Sequence, residues 1–177
     1  MSKNKEFDII VYGASGFTGR LVAEYLVKQY KDDSSFTWAM AGRSADKLAQ
    51  VRDEIGAPKD TPLVVADAQD ATSMQAMLDS TRLILTTVGP YQLYGSELVA
   101  MCAQSGVDYV DLCGEPVWMR HMIDANEAAA KASGARIVFS CGFDSIPFDL
   151  GVYRLQQLAK EKFGHTFNRV KGRVKKM

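Results

Sequence analysis

The segment Gly13-Ala14-Ser15-Gly16-Phe17-Thr18-Gly19 constrains this chain more than any other. It follows the apolar run Phe7 to Val11 and opens an amphipathic stretch, so the local order is strand, glycine turn, helix. A buried strand delivers the chain to a turn free of bulky side chains. The N–H groups at the helix start can then face an anion such as a pyrophosphate. A tight βα turn with no ligand is the competing explanation. The context, at the very start of an α/β pattern, favours a dinucleotide fold.

That pattern continues along the chain. β-rich apolar runs fall at Asp8–Tyr12, Phe36–Ala41, Leu63–Ala66, Leu83–Val88, Tyr109–Leu112 and Arg136–Ser140. Helical spacing lies between and after them, near Gly16–Tyr30, Ala45–Ile55, Thr72–Leu78, Gly95–Gln104, Val117–Ala132 and Phe148–Phe163. Strands alternating with helices of this length predict βαβ crossovers and a doubly wound parallel sheet of Rossmann type. Leu83-Ile84-Leu85 reads as a central strand covered on both faces. Gly106 and Gly134 are placed to close helices in the left-handed conformation.

The end of the chain has a different period. From Asn168, basic residues at Arg169, Lys171, Arg173 and Lys175 alternate with Val170, Gly172 and Val174. Alternation of this kind predicts a half-buried strand over Asn168–Lys176 rather than a basic patch for nucleic acid or phospholipid. The expected organisation is a dinucleotide-binding domain over residues 1–165. Residues 166–177 would begin a strand leading into a further α+β domain.

Bulk properties exclude several classes. The 177 residues suit one domain, and 21 basic residues balance 21 acidic ones. Bulk charge therefore favours neither nucleic acid nor an anionic membrane. Cys102, Cys113 and Cys141 are odd in number and lack CxxC spacing, which suits buried thiols in a reducing compartment. His121 and His165 are too isolated for a metal cluster. There is no signal-peptide pattern and no apolar run near the ~18 residues of a membrane span. The expectation is a soluble cytoplasmic protein with no integral membrane segment.

The turns assign candidate cofactor contacts. Gly13 permits the tight turn, Gly16 close approach to phosphates, and Gly19 close helix packing. Ser15 and Thr18 can donate to phosphate oxygens or simply cap the helix. An NAD site usually places Asp or Glu after the second strand, to bind the ribose 2′-hydroxyl. Here the tip reads Met40-Ala41-Gly42-Arg43-Ser44, without a carboxylate. Arg43 can grip a 2′-phosphate, with Ser44 and Lys47 adding a hydroxyl and a second charge, which predicts NADP. Alternatively, Arg43 is a solvated loop residue and Ser44 an N-cap. Asp67 can reach the adenine amino group, while Asp70 reads as a helix cap. Val88, Gly89, Pro90 and Tyr91 end the fourth strand, where ribose and nicotinamide should lie. Tyr91 and Tyr94 can line that pocket or pack.

These residues resemble a known family. Tyr12-Gly13-Ala14-Ser15-Gly16-Phe17-Thr18-Gly19, Ala41-Gly42-Arg43-Ser44 and Val88-Gly89-Pro90-Tyr91 look like the first half of saccharopine dehydrogenase-like oxidoreductases. So do Asp111-Leu112-Cys113-Gly114-Glu115 and Gly142-Phe143-Asp144-Ser145-Ile146-Pro147. The branch that fits best includes proteins called trans-acting enoyl reductases. The resemblance implies an N-terminal NADP-binding Rossmann domain and a larger C-terminal portion that completes the substrate site and often a homodimer. Saccharopine dehydrogenases act on an imine bearing several carboxylates, which requires a cluster of cations. Arg120 and Arg154 fall on predicted helices and read as solvated, so the substrate stays open, whether small or lipid-like.

The signature of another Rossmann chemistry, Tyr-x-x-x-Lys, is not found. Tyr91, Tyr94, Tyr109 and Tyr153 are followed four residues on by Gly95, Leu98, Cys113 and Gln157, so no Tyr-x-x-x-Lys pair exists there. Hydride transfer asks the protein mainly to position the nicotinamide and polarise an acceptor. Tyr91, Glu115, Asp144 and Ser145 are candidates for that work. Each has a structural alternative, such as Asp144 capping a helix or Glu115 at a helix entry before Pro116. Two functions follow: an NADP-dependent oxidoreductase needing its full length, or a non-catalytic NADP-binding, sensing or scaffold module.

Overall fold

A computed structural model describes residues 5–30 and 33–175. Among them lies one six-stranded sheet in the order β3-β2-β1-β4-β5-β6, with every neighbouring pair parallel. The strands are β1 (Phe7–Tyr12), β2 (Trp38–Gly42), β3 (Leu63–Val65), β4 (Thr81–Thr86), β5 (Asp108–Asp111) and β6 (Ile137–Val138). The helices are α1 (Phe17–Tyr30), α2 (Ala45–Glu54), α3 (Ala71–Ser80), α4 (Tyr91–Tyr94), α5 (Ser96–Ser105), α6 (Pro116–Ser133) and α7 (Ile146–Phe163). The doubly wound parallel sheet is as expected, and each predicted strand and helix up to residue 163 is present.

Period-two alternation splits the core between the two faces of the sheet. Val11 and Met40 pack with Ala23, Val27, Leu48 and Val51 of α1 and α2. Their neighbours Ile10 and Ala39 face the other way, into a cluster with Met74, Met77 and Leu78 of α3, Leu98, Val99 and Cys102 of α5, and Trp118 of α6. Central strands buried on both sides explain the continuous apolar runs read from the sequence. Gly106 and Gly134 close α5 and α6 at φ +71° and +83°.

Three segments depart from expectation. β6 is two residues long rather than five. After Val138 the chain leaves the sheet because Ser140 and Cys141 turn their N–H groups onto Asp111, and Ser140 sits at φ +59°. The four-residue α4 follows the Gly89–Pro90 turn and is too short to show a helical period. Residues 168–175 carry no helix or strand, since an alternating segment becomes a strand only against a neighbour. Lys176, the last residue of that predicted strand, lies outside the described residues.

Helix α7 is unusual in its exposure. Among its residues only Ala159 is buried, while Leu150, Tyr153 and Leu155 face solvent. Among the described residues, no helix is long and apolar enough to cross a membrane.

The thiols are all held above the ordinary value, in each case chiefly by burial. Thiolate, not thiol, is the nucleophile. Slow reaction with a thiol reagent at pH 8 is therefore expected for the folded chain, with fully buried Cys102 reacting last. Three fast equivalents should appear in denaturant. Rapid labelling of Cys102 in the native chain would contradict this.

Candidate functional site: a cleft at the reversal of strand order

The strand order reverses between β1 and β4: β2 and β3 extend to one side, β5 and β6 to the other. Crevices at such a point, outside the carboxyl ends of the strands, are where open α/β sheets bind ligands. The register aligns Tyr12 with Ala41 and Thr86, and Thr86 with Asp111. The turns that follow these strands therefore open at one sheet edge. A cleft of about 320 Å³ lies there. Its walls come from the β1 turn (Tyr12, Gly13, Ser15, Gly16), the β2 tip (Gly42, Arg43) and the β3 turn (Asp67, Ala68, Gln69). The β4 turn (Thr87, Val88, Gly89) and Tyr94 complete it.

Two glycines set the floor. Gly13 takes φ +91°, and a Cβ there would stand 2.7 Å from Thr87 Oγ1 and 2.9 Å from Val88 Cγ2. Gly19 is tighter: its Cβ would stand 2.1 Å from the Gly13 carbonyl oxygen. The turn is anchored, because Gly13 and Ala14 donate their N–H groups to Ala41 O at 2.9 and 3.0 Å. Thr87 donates its backbone N–H to Tyr12 O at 2.9 Å, so the β1 and β4 ends are locked side by side. Helix α1 then begins at Phe17, and its first-turn N–H groups have no acceptor within the helix. They add a partial positive charge at the glycine turn.

Charge is distributed along the cleft. Arg43 is exposed at one wall and Asp67 stands on the same rim. The Tyr12 hydroxyl is pushed up to about 12 by burial, with the Asp67 carboxylate acting in the same direction. It remains a neutral hydrogen-bonding group at physiological pH.

The cleft brings together Gly13, Ser15, Gly16, Arg43, Asp67, Val88 and Gly89 of the sequence candidates, as well as Tyr94. Others lie off it. Gly19 packs beneath the turn, Phe17 is 85% exposed, and Thr18 belongs to the first turn of α1 without lining the cleft. Ser44 is the N-cap of α2, its Oγ accepting the Lys47 N–H at 3.3 Å, and neither residue lines the cleft. Asp70 caps α3 through the Thr72 N–H, as read.

Pro90 and Tyr91 are not cleft residues. Tyr91 is 5% exposed and packs on Trp118 at 5.7 Å between ring centroids. Its hydroxyl donates to Thr86 O at 3.2 Å and accepts the Leu112 N–H at 3.4 Å. Burial pushes that hydroxyl up to about 12. Tyr91 is thus a strut between β4 and β5, because a ring following Pro90 at the start of α4 has the core beneath it.

The remaining candidates for acid–base work also sit elsewhere. Both Glu115 oxygens accept backbone N–H groups of α4. Ser145 is the N-cap position of α7 but makes no side-chain cap bond, so Asp144 is not the cap either. Arg120 pairs with Asp124 on the surface, and Arg154 is exposed as read. Sequence reasoning missed Tyr12, Gly42, Ala68, Gln69 and Thr87 as cleft residues. Their signal was position alone, since each ends a strand or lies in the turn that follows one at the carboxyl edge.

The chain has recognisable relatives. Residues 9–138 match the family described as the saccharopine dehydrogenase NADP binding domain. A trans-acting enoyl reductase from Mycobacterium leprae is 49% identical over 157 residues, covering 88% of this chain and 37% of the relative. A protein of the same name from Mycobacterium ulcerans is 47% identical over 161 residues, covering 90% of this chain and 38% of the relative. The chain thus spans little more than a third of the length of these relatives. Among solved structures, apo saccharopine dehydrogenase (L-Glu forming) from Saccharomyces cerevisiae superposes with a TM-score of 0.64 at 14% identity. That superposition covers 87% of this chain and 31% of the yeast chain, and it is a likeness of fold.

Proposed function

We propose a function from one premise: the chain belongs to the saccharopine dehydrogenase NADP-binding domain family. It is the cofactor-binding part of an NADP-dependent oxidoreductase. The full-length protein transfers a hydride between NADP(H) and a small or lipid-like substrate held largely by the rest of the polypeptide. The observation that carries this reading is the cleft at the strand-order reversal, with Arg43 at a β2 tip, Met40–Ser44, that contains no carboxylate.

The assignment of groups follows the cleft from end to end. The turn Gly13–Gly19 and the α1 N-terminus suit the pyrophosphate. Arg43 suits the ribose 2′-phosphate through its planar fork of donors, with Ser44 and Lys47 just beyond it. Asp67 and Gln69 flank the adenine, and Val88, Gly89 and Tyr94 face the nicotinamide. NADPH supplies the hydride when bound; this chain's residues bind and orient it. Among the described residues, the acid–base side chains bordering the cleft are Tyr12, Asp67 and Tyr94; with the substrate held by the rest of the polypeptide, residues 1–177 alone should bind cofactor without turnover. The apolar residues exposed on α7 support the packing of a further portion there. Residues 1–165 would be the dinucleotide domain and 166–177 the lead into that portion.

The test is calorimetric titration with NADPH and NADH, on the wild type and on Arg43→Ala. NADPH should bind more tightly than NADH. The substitution should weaken NADPH about ten- to a hundredfold, as expected for loss of charged hydrogen bonds, and leave NADH nearly unchanged. Equal affinity for the two nucleotides, unaffected by the substitution, would overturn the NADP assignment.

A further inference from the structure

The β4-side wall of the cleft is held in part from another segment. Val88 and Gly89 lead into α4, whose N-cap residue is Pro90, which makes no side-chain cap bond. The first two N–H groups of α4 are instead satisfied from the β5–α6 turn. Tyr91 N–H donates to Glu115 Oε1 at 2.8 Å, and Gln92 N–H donates to Glu115 Oε2 at 2.9 Å. Glu115 stands at the N-cap position of α6 but makes no side-chain cap bond there. Its own N–H donates to Cys113 Sγ at 3.3 Å. The carboxylate thus serves the helix of another segment, using both oxygens, in charge-assisted bonds.

We propose that Glu115 is a positioning residue for the nicotinamide half of the cofactor. It does not border the cleft. It fixes the Gly89–Pro90 turn and α4, and thereby the places of Val88, Gly89 and Tyr94. It also couples that wall to the turn at residues 113–116, so that the cofactor wall and this neighbouring turn move as one body. The proposal rests on the reading of the cleft as an NADP site.

A purely structural glutamate would affect every ligand of the cleft alike. A positioning residue of the β4 wall acts on one half of the dinucleotide. Two ligands separate these cases: NADPH, and adenosine 2′,5′-bisphosphate, which carries the adenine, ribose and 2′-phosphate but no nicotinamide. Calorimetry on the wild type, E115Q and E115A gives the comparison, with circular dichroism melts verifying that each variant is folded. E115A should weaken NADPH about ten- to a hundredfold, the scale of one charged hydrogen bond, and the bisphosphate less than about twofold. E115Q keeps one acceptor oxygen and should fall between. If E115A does not fold, E115Q carries the same comparison. Equal weakening of both ligands, or unchanged NADPH binding in a folded variant, overturns the proposal. Failure of the wild type to bind either ligand would instead remove the NADP reading of the cleft, and this proposal with it.

Discussion

Gly19→Val is expected to abolish NADPH binding and to cost about 3 kcal/mol or more of folding stability, at the upper end of overpacking effects. The reason is a backbone clash with nowhere to go. The first side-chain carbon would stand 2.1 Å from Gly13 O, 2.6 Å from Gly13 C and 2.8 Å from Thr87 Oγ1. Gly13 cannot retreat, because its N–H is committed to Ala41 O at 2.9 Å and β1 is central in the sheet. Relief requires α1 to lift from the sheet, which moves its N-terminus away from the glycine turn and loosens Ala23 and Val27 in the core. For a domain of this size the melting temperature should fall by roughly 6 °C or more. Gly114→Ala is the control, since a Cβ there meets nothing within 4 Å and φ is ordinary. A Gly19→Val chain that melts with the wild type and still binds NADPH would refute the packing argument.

The same turn shows how far the sequence is readable. Gly13, Gly16 and Gly19 are legible because local geometry forces glycine wherever backbone must meet backbone, and the flanking strand and helix carry their own periods. Arg43 and Asp67 are legible because strand ends in a parallel sheet share one edge. Tyr91 is not legible as a strut, since its partners Leu112 and Trp118 lie 21 and 27 residues away and no period announces them. Glu115 has the same difficulty. A carboxylate before a proline at a helix entry suggests a local role, whereas its bonds go to Tyr91 and Gln92. Long-range pairing of polar groups leaves no mark on hydrophobic spacing, and here it is what assembles the β4–β5 side of the site.

Asp111 is the extreme case, and Asp111→Ala should destabilise the chain by about 3–5 kcal/mol, because three donors lose their acceptor at once. The residue is 3% exposed. Its Oδ1 accepts the N–H groups of Cys113 at 3.0 Å and Ser140 at 2.8 Å, while Oδ2 accepts the Tyr109 hydroxyl at 2.8 Å. Burial, with Asp111 acting the same way, holds that hydroxyl far above its usual value, so it stays a donor. One side chain therefore joins the end of β5, the turn carrying Glu115, and the left-handed Ser140 after β6. Asp111→Asn should cost less, about 1–2 kcal/mol, since its amide oxygen can keep the two backbone donors and only the Tyr109 bond must be remade. Tyr109→Phe removes that one bond from the other side. Its effect should not add to that of Asp111→Asn, because residues sharing a bond couple in a double-mutant cycle. Denaturant unfolding of the wild type, the three single variants and the Asp111→Asn/Tyr109→Phe double variant tests the order wild type, Asp111→Asn, Asp111→Ala and the coupling with Tyr109. If Asp111→Ala unfolds within about 1 kcal/mol of the wild type, the carboxylate does not hold β5 and β6 together. The bend at Ser140 would then be stable without it.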